Sequence, residues 1–110
     1  SRVALERART EEAVLTYQKT VQQAFREVSD ALVGHRRARE FRAEQERLVQ
    51  SAADARRLTD MRYRGGVSSY LDVLDSDTRL FTAELDLAQA NLNELAAFVE
   101  IYRALGGGWQ

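Results

Sequence analysis

The sequence predicts an all-α protein, built as one long antiparallel coiled-coil helical hairpin. Three observations carry that prediction: 110 residues contain no proline, apolar residues recur in alternating steps of three and four over two long segments, and the pair Gly65-Gly66 interrupts the pattern between them. Proline usually marks loops and helix ends, so its absence predicts few connections. Steps of three and four keep apolar side chains on one face of a helix.

The first helix is expected over about residues 2–63. Val14, Tyr17, Val21, Ala24, Val28, Ala31, His35 and Ala38 follow the three-four rhythm, and Phe25 and Leu32 widen the stripe. A strongly charged stretch, HRRAREFRAEQER, weakens the pattern, which resumes through Leu48, Val49, Ala52, Ala55 and Leu58. A helix of this extent is roughly 90 Å long at ~1.5 Å per residue. His35 lies on the stripe beside Gly34 and reads as a packed interface histidine, and Phe41 as a packing contact.

A turn is expected over residues 64–68. Glycine adopts the conformations that reverse a chain at little steric cost, and Ser69-x-x-Asp72 reads as a capping box for the next helix. Arg56, Arg57, Arg62 and Arg64 before the turn, and Asp72 and Asp75 after it, also suit the two helix dipoles.

The second helix is expected over about 69–105. Leu74, Thr78, Phe81, Leu85, Ala88, Leu92, Leu95, Val99 and Tyr102 keep the alternation without a miss, the spacing of a coiled-coil seam. Gly106, Gly107 and Gly108 are expected to end it, leaving a tail over 106–110 with Trp109 beyond the stop. The arms are unequal: residue 105 folds back only to about residue 27, which leaves Val14, Tyr17, Val21 and Phe25 without a partner in the chain. A lone two-helix hairpin also buries little per residue, so attachment to a larger protein or self-association is expected.

Composition narrows the function. Sixteen Lys and Arg stand against 17 Asp and Glu, for a net charge of −1, and the two signs are interleaved as on a solvated helix surface, with no pull toward nucleic acid. With no cysteine and one histidine, neither a thiolate cluster nor a histidine metal site can form within the chain. Its apolar runs fall short of the roughly 20 residues a membrane-spanning helix needs, and no basic-then-apolar leader opens the chain. No nucleophile with a base, no phosphate loop and no metal cluster appears, so neither catalysis nor a cofactor is expected.

The segments YQKTVQQAFREVSDALV, RYRGGVSSYLDVLDSDTRLFTAELDLAQA and IYRALGGGW, in unbroken order, resemble the C-terminal part of TolC-like outer-membrane factors. The last is most similar to the lipoprotein subgroup that serves as the exit duct of tripartite RND-type efflux pumps. The resemblance implies a homotrimer whose transmembrane β-barrel continues as an α-helical barrel across the periplasm, each subunit contributing two such hairpins. It also implies that strands, signal sequence and an acylated cysteine lie upstream of Ser1, and that an inner-membrane transporter supplies the energy.

Carried over to this chain, the resemblance makes Arg62, Tyr63, Arg64, Gly65, Gly66, Val67, Ser68, Ser69 and Tyr70 the periplasmic tip that a periplasmic adaptor (membrane fusion) protein contacts. Tyr70 and Leu71 serve either that contact or packing between subunits. Asp72 and Asp75 match aspartates lining the constricted tip, where threefold repetition would make rings of negative charge that favour cations; capping and dipole roles are the alternative. Some members carry an arginine where this chain has Ser68, so an ionic lock with Tyr63 is not implied, and Leu71 stands as a hydrophobic constriction. The competing reading is a self-associating coiled-coil module that forms a four-helix bundle.

Overall fold

Two helices account for nearly all of the chain. The structure, a computed structural model, describes residues 1–107; among these, α1 spans Arg2–Arg64 and α2 spans Tyr70–Gly107. They lie antiparallel in a rod with extents of 96 × 16 × 15 Å, its length set by the 63 residues of α1. Each boundary falls within a residue or two of the expected one, as helix ends commonly do. The one informative difference is that α2 runs through Gly106 and Gly107, because glycine accepts right-handed helical angles as well as left-handed ones. Gly108 and Trp109 lie outside the described residues.

The surface of α2 that faces α1 is not the seam that stands out in the sequence. Val73, Ser76, Asp77, Leu80, Ala83, Leu87, Ala90, Glu94, Ala97, Ile101 and Ala104 are its buried or half-buried positions, from Leu80 onward in steps of three and four. Facing them on α1 are Val28, Ala31, His35, Ala38, Arg42, Gln45, Val49 and Ala52. The most enclosed side chains are small: Ala90 is 1% exposed, and Ala31, Ala104 and Ser76 are also buried. Small residues every seventh position let the two backbones approach closely, which larger side chains at the same places would prevent.

Three interhelical contacts define the register. Arg42 donates to Glu94, Arg56 pairs with Asp77, and the His35 ring lies 5.9 Å from that of Phe98. Seven residues back along α1 meet seven residues forward along α2, which sets His35 across from Ile101 and Val49 across from Leu87. Ala31 and Ala38 then come alongside Ala104 and Ala97.

The α1 stripe therefore divides. From Val28 onward it covers α2, whereas Val14, Tyr17 and Phe25 stay exposed with no second helix beside them. Leu32, Leu48, Leu58 and Phe41 also point away from the pair and remain about half exposed. Phe41, expected as a packing contact, is 56% exposed and not enclosed by the pair.

Candidate functional site at the hairpin tip

The turn is built by the last residues of α1. Gly66 has φ of 79°, a left-handed conformation that a side chain disfavours. With Gly66 in that conformation, its N–H donates to the Tyr63 carbonyl at 3.0 Å and the Val67 N–H to the Arg62 carbonyl at 2.8 Å. This is the Schellman arrangement, which satisfies carbonyls that the end of a helix leaves open. Gly65, by contrast, is right-handed at φ −81° and forms the helix cap. Only one of the two glycines is required by the backbone.

On the far side of the turn the capping box forms as its spacing predicts. The Ser69 hydroxyl accepts from the Asp72 N–H, and the Asp72 carboxylate accepts from the Ser69 N–H, each at 3.2 Å. The rings of Tyr63 and Tyr70 meet across the turn. Thus Tyr63, for which the sequence offers no ionic partner at Ser68, has an aromatic one.

Of the remaining tip residues Ser68 is half-buried, and Arg62, Arg64 and Val67 are exposed. Val67 and Leu71 are among the most exposed large apolar side chains of the chain, at 80% and 73%. Arg64 pairs with Asp60 on its own helix at 3.1 Å, while Arg62 forms no ion pair among the described residues. A compact surface results, with two glycines, two tyrosines, two exposed aliphatic side chains and one arginine without a carboxylate.

Asp72 and Asp75 lie on one face of α2, continued in steps of three and four by Arg79, Thr82, Asp86, Gln89 and Asn93. Arg79 donates to Asp75 at 3.0 Å, in an exposed pair one helical turn long. Such pairs contribute little and are readily broken, so Asp75 carries a charge that other partners can reach. Asp72 combines its capping role with an exposed position on this polar face.

The clean seam from Leu74 to Tyr102 falls on the side of α2 turned away from α1. Leu74, Phe81, Leu85, Leu92, Leu95, Val99 and Tyr102 are 45–64% exposed. α2 thus has three surfaces: a small-residue face against α1, a large apolar seam nearly opposite, and the polar face of Asp72 and Asp75 between them. The feature not foreseen in the sequence is the half-buried polar layer Arg42–Glu94. Its signal was the heptad itself, since seven residues on from His35 is Arg42.

Arg42 donates from Nε to Glu94 Oε2 at 2.7 Å and from Nη1 to Glu46 at 3.0 Å. The hydrogen bond from Arg42 holds the Glu94 carboxyl below its ordinary pKa, against an opposing desolvation and with help from the charges of Arg42, His35 and Arg39. Among the described residues no cluster of His, Asp or Glu has the makings of a metal site, and no helix is long and apolar enough to cross a membrane.

The fold is a rod-like helical hairpin whose second helix bears an apolar seam that α1 leaves uncovered along most of its length. The family model for outer membrane efflux proteins matches residues 1–107, and the chain belongs to that family. It is 44% identical over 96 residues to the probable efflux pump outer membrane protein TtgC of Pseudomonas putida KT2440, covering 87% of this chain and 20% of that protein. Outer membrane protein OprJ of Pseudomonas aeruginosa is 36% identical over 107 residues, covering 97% and 22% respectively. The crystal structure of a membrane protein from Pseudomonas aeruginosa matches with a TM-score of 0.72 and 35% identity over 94% of this chain and 24% of that one. The chain spans about a fifth of the length of these relatives.

Proposed function

We propose that this chain is a periplasmic hairpin in the α-helical barrel of a trimeric outer-membrane channel that exports small molecules. The observation that carries this reading is the pair of opposed seams on α2. A helix in a closed ring needs a neighbour on each side, and a helix in a free-standing hairpin needs only one. The family match, the name of TtgC as a probable efflux pump outer membrane protein and that of OprJ as an outer membrane protein support the same reading.

In this role the tip, Arg62 to Tyr70, meets the adaptor protein, and the polar face of Asp72 and Asp75 lines the narrow end of the duct. Three copies of each aspartate would make two rings of negative charge in a confined opening, attracting cations. Opening follows from docking that binds the open packing of the tip better than the closed one. The hairpin itself does no chemistry, and the inner-membrane transporter supplies the energy.

Conductance of the full-length channel in planar bilayers tests the pore role. Asp75→Ala is expected to lower cation selectivity, and unchanged selectivity removes Asp75 from the pore. The isolated 110-residue chain, with its large seam uncovered, is expected to self-associate as a four-helix bundle. Sedimentation velocity distinguishes that behaviour from a monomer.

A further inference from the structure

The seam between the helices is nearly the same every seven residues. Ala83, Ala90, Ala97 and Ala104 repeat on α2, with Leu80, Leu87 and Ile101 between them; Ala31, Ala38 and Ala52 repeat on α1, with Val28 and Val49 between them. Sliding α2 by one heptad, ~10.5 Å at 1.5 Å per residue, would bring Ala31 beside Ala97 and Ala38 beside Ala90, or in the other direction Ala38 beside Ala104 and Ala52 beside Ala90. Alanines would still meet alanines in both slips, and in the first Val28 would meet Ile101 and Val49 would meet Leu80. His35 and Gln45 depart from the repeat on α1, but only the Arg42–Glu94 layer breaks it with a charged side chain on both helices.

We propose that the Arg42–Glu94 pair is the register key of the hairpin, selecting one alignment among heptad-related alternatives that the rest of the seam accommodates almost equally. Glu94 occupies the position of Leu87 and Ile101 in the repeat. Both side chains are only 23% exposed, and two guanidinium nitrogens reach the carboxylate, at 2.7 and 3.4 Å. In either slipped alignment Arg42 would lie against Leu87 or Ile101, and Glu94 against His35 or Val49. Breaking a partly buried, doubly hydrogen-bonded pair leaves charges unpaired where water is scarce, which is costly.

The other interhelical pair, Arg56–Asp77, is 51% and 42% exposed and constrains sliding less, since solvent replaces an exposed partner easily. The turn supplies a hold of its own through Gly66 and the Ser69–Asp72 box. A slip moves the turn by only half a heptad, however, and the long arms multiply small gains along the seam. The ion pair acts 24 residues from Gly66, about 36 Å along α1. This inference concerns the hairpin alone and stands independently of the channel reading.

Cysteine pairs read the register, because disulfides need Cα atoms within ~7 Å, less than the heptad step. In the full-length protein, Ala31→Cys with Ala104→Cys and Ala38→Cys with Ala97→Cys report the observed register; Ala31→Cys with Ala97→Cys and Ala38→Cys with Ala104→Cys report the two slips. Arg42→Leu/Glu94→Leu, which fills the layer with apolar volume, is expected to raise the yield of a slipped cross-link at least tenfold. The charge exchange Arg42→Glu/Glu94→Arg should return it to the parental level. Should the leucine variant not assemble, Glu94→Gln, close in shape to the native side chain, is read the same way. Slipped yields that stay at the parental level in the uncharged variant, or that the exchange fails to lower, overturn the proposal in favour of a register set by the turn.

Discussion

The rings of Tyr63 and Tyr70 meet across the turn with centroids 5.7 Å apart and planes inclined by 52°. They join the last turn of α1 to the first residue of α2, so the tip is closed by an aromatic contact in addition to its backbone hydrogen bonds. Tilted aromatic pairs contribute about 0.5–1.5 kcal/mol beyond the area they bury. Because both rings are partly exposed, a double-mutant cycle with Tyr63→Ala and Tyr70→Ala, followed by urea unfolding, should give a coupling of about 0.5 kcal/mol, the low end of that range. Purely additive losses would show that the rings meet without holding the tip.

The two glycines of the turn should respond differently to the same substitution. Gly66→Ala forces a side chain into the left-handed region and is expected to cost about 1–2 kcal/mol. At Gly65 a Cβ would sit 3.5 Å from the Met61 carbonyl oxygen, an ordinary contact, so Gly65→Ala should be neutral or stabilise by about 0.4–1 kcal/mol through the unfolded chain. Urea midpoints measure both. If Gly65→Ala keeps stability while reducing efflux in cells, the requirement for glycine there comes from a partner.

Removing the hydroxyl from the capping box leaves the Asp72 N–H without its acceptor. Ser69→Ala is expected to cost ~1 kcal/mol, with fraying confined to the start of α2. Hydrogen exchange of the amides from Tyr70 to Val73 should quicken while those near Ala90 keep their rate.

Acid should loosen the hairpin at its polar layer. Since Arg42 holds the folded pKa of Glu94 below the ordinary value, the unfolded chain binds the proton more readily, and stability falls as pH drops. This contribution is fully present above about pH 4.3, the ordinary glutamate value, and disappears as pH falls through the lower folded value. Thermal melts between pH 7 and pH 3 should show a smaller acid-induced drop for Arg42→Met than for the parent chain. Equal drops would assign the acid sensitivity to other carboxylates.

The outer seam of α2 should matter for assembly and not for the hairpin. Leu85→Asp and Leu92→Asp change side chains that are 54% and 59% exposed, so helix content by circular dichroism should be retained. Size-exclusion chromatography of the full-length protein should show loss of the proposed trimer. A trimer that survives both substitutions would mean that this seam faces something other than a neighbouring helix.

Much of the architecture was readable from residue order. The turn, its single capping box and the unequal arms follow from local chemistry: glycine and serine at the turn, the three-residue spacing of Ser69 and Asp72, and the absence of proline. The role of Gly66 as distinct from Gly65 was not readable, because both are glycine and only the backbone angles separate them. The Tyr63–Tyr70 contact was also hidden, since it depends on how tightly the turn closes. The Arg42–Glu94 layer was not readable either, because apolar periodicity does not register charged residues that occupy seam positions.

Periodicity along the chain by itself determined that two unequal helices double back at the glycine pair and that α2 bears a continuous row of large apolar residues. Which of its two three-four rows faces α1 was settled only by the tertiary structure. Both rows obey the same spacing, and spacing records which residues share a face, not which face finds a partner. The small residues won the place against α1 because close approach of two backbones requires little side-chain volume between them, and the larger row was left uncovered.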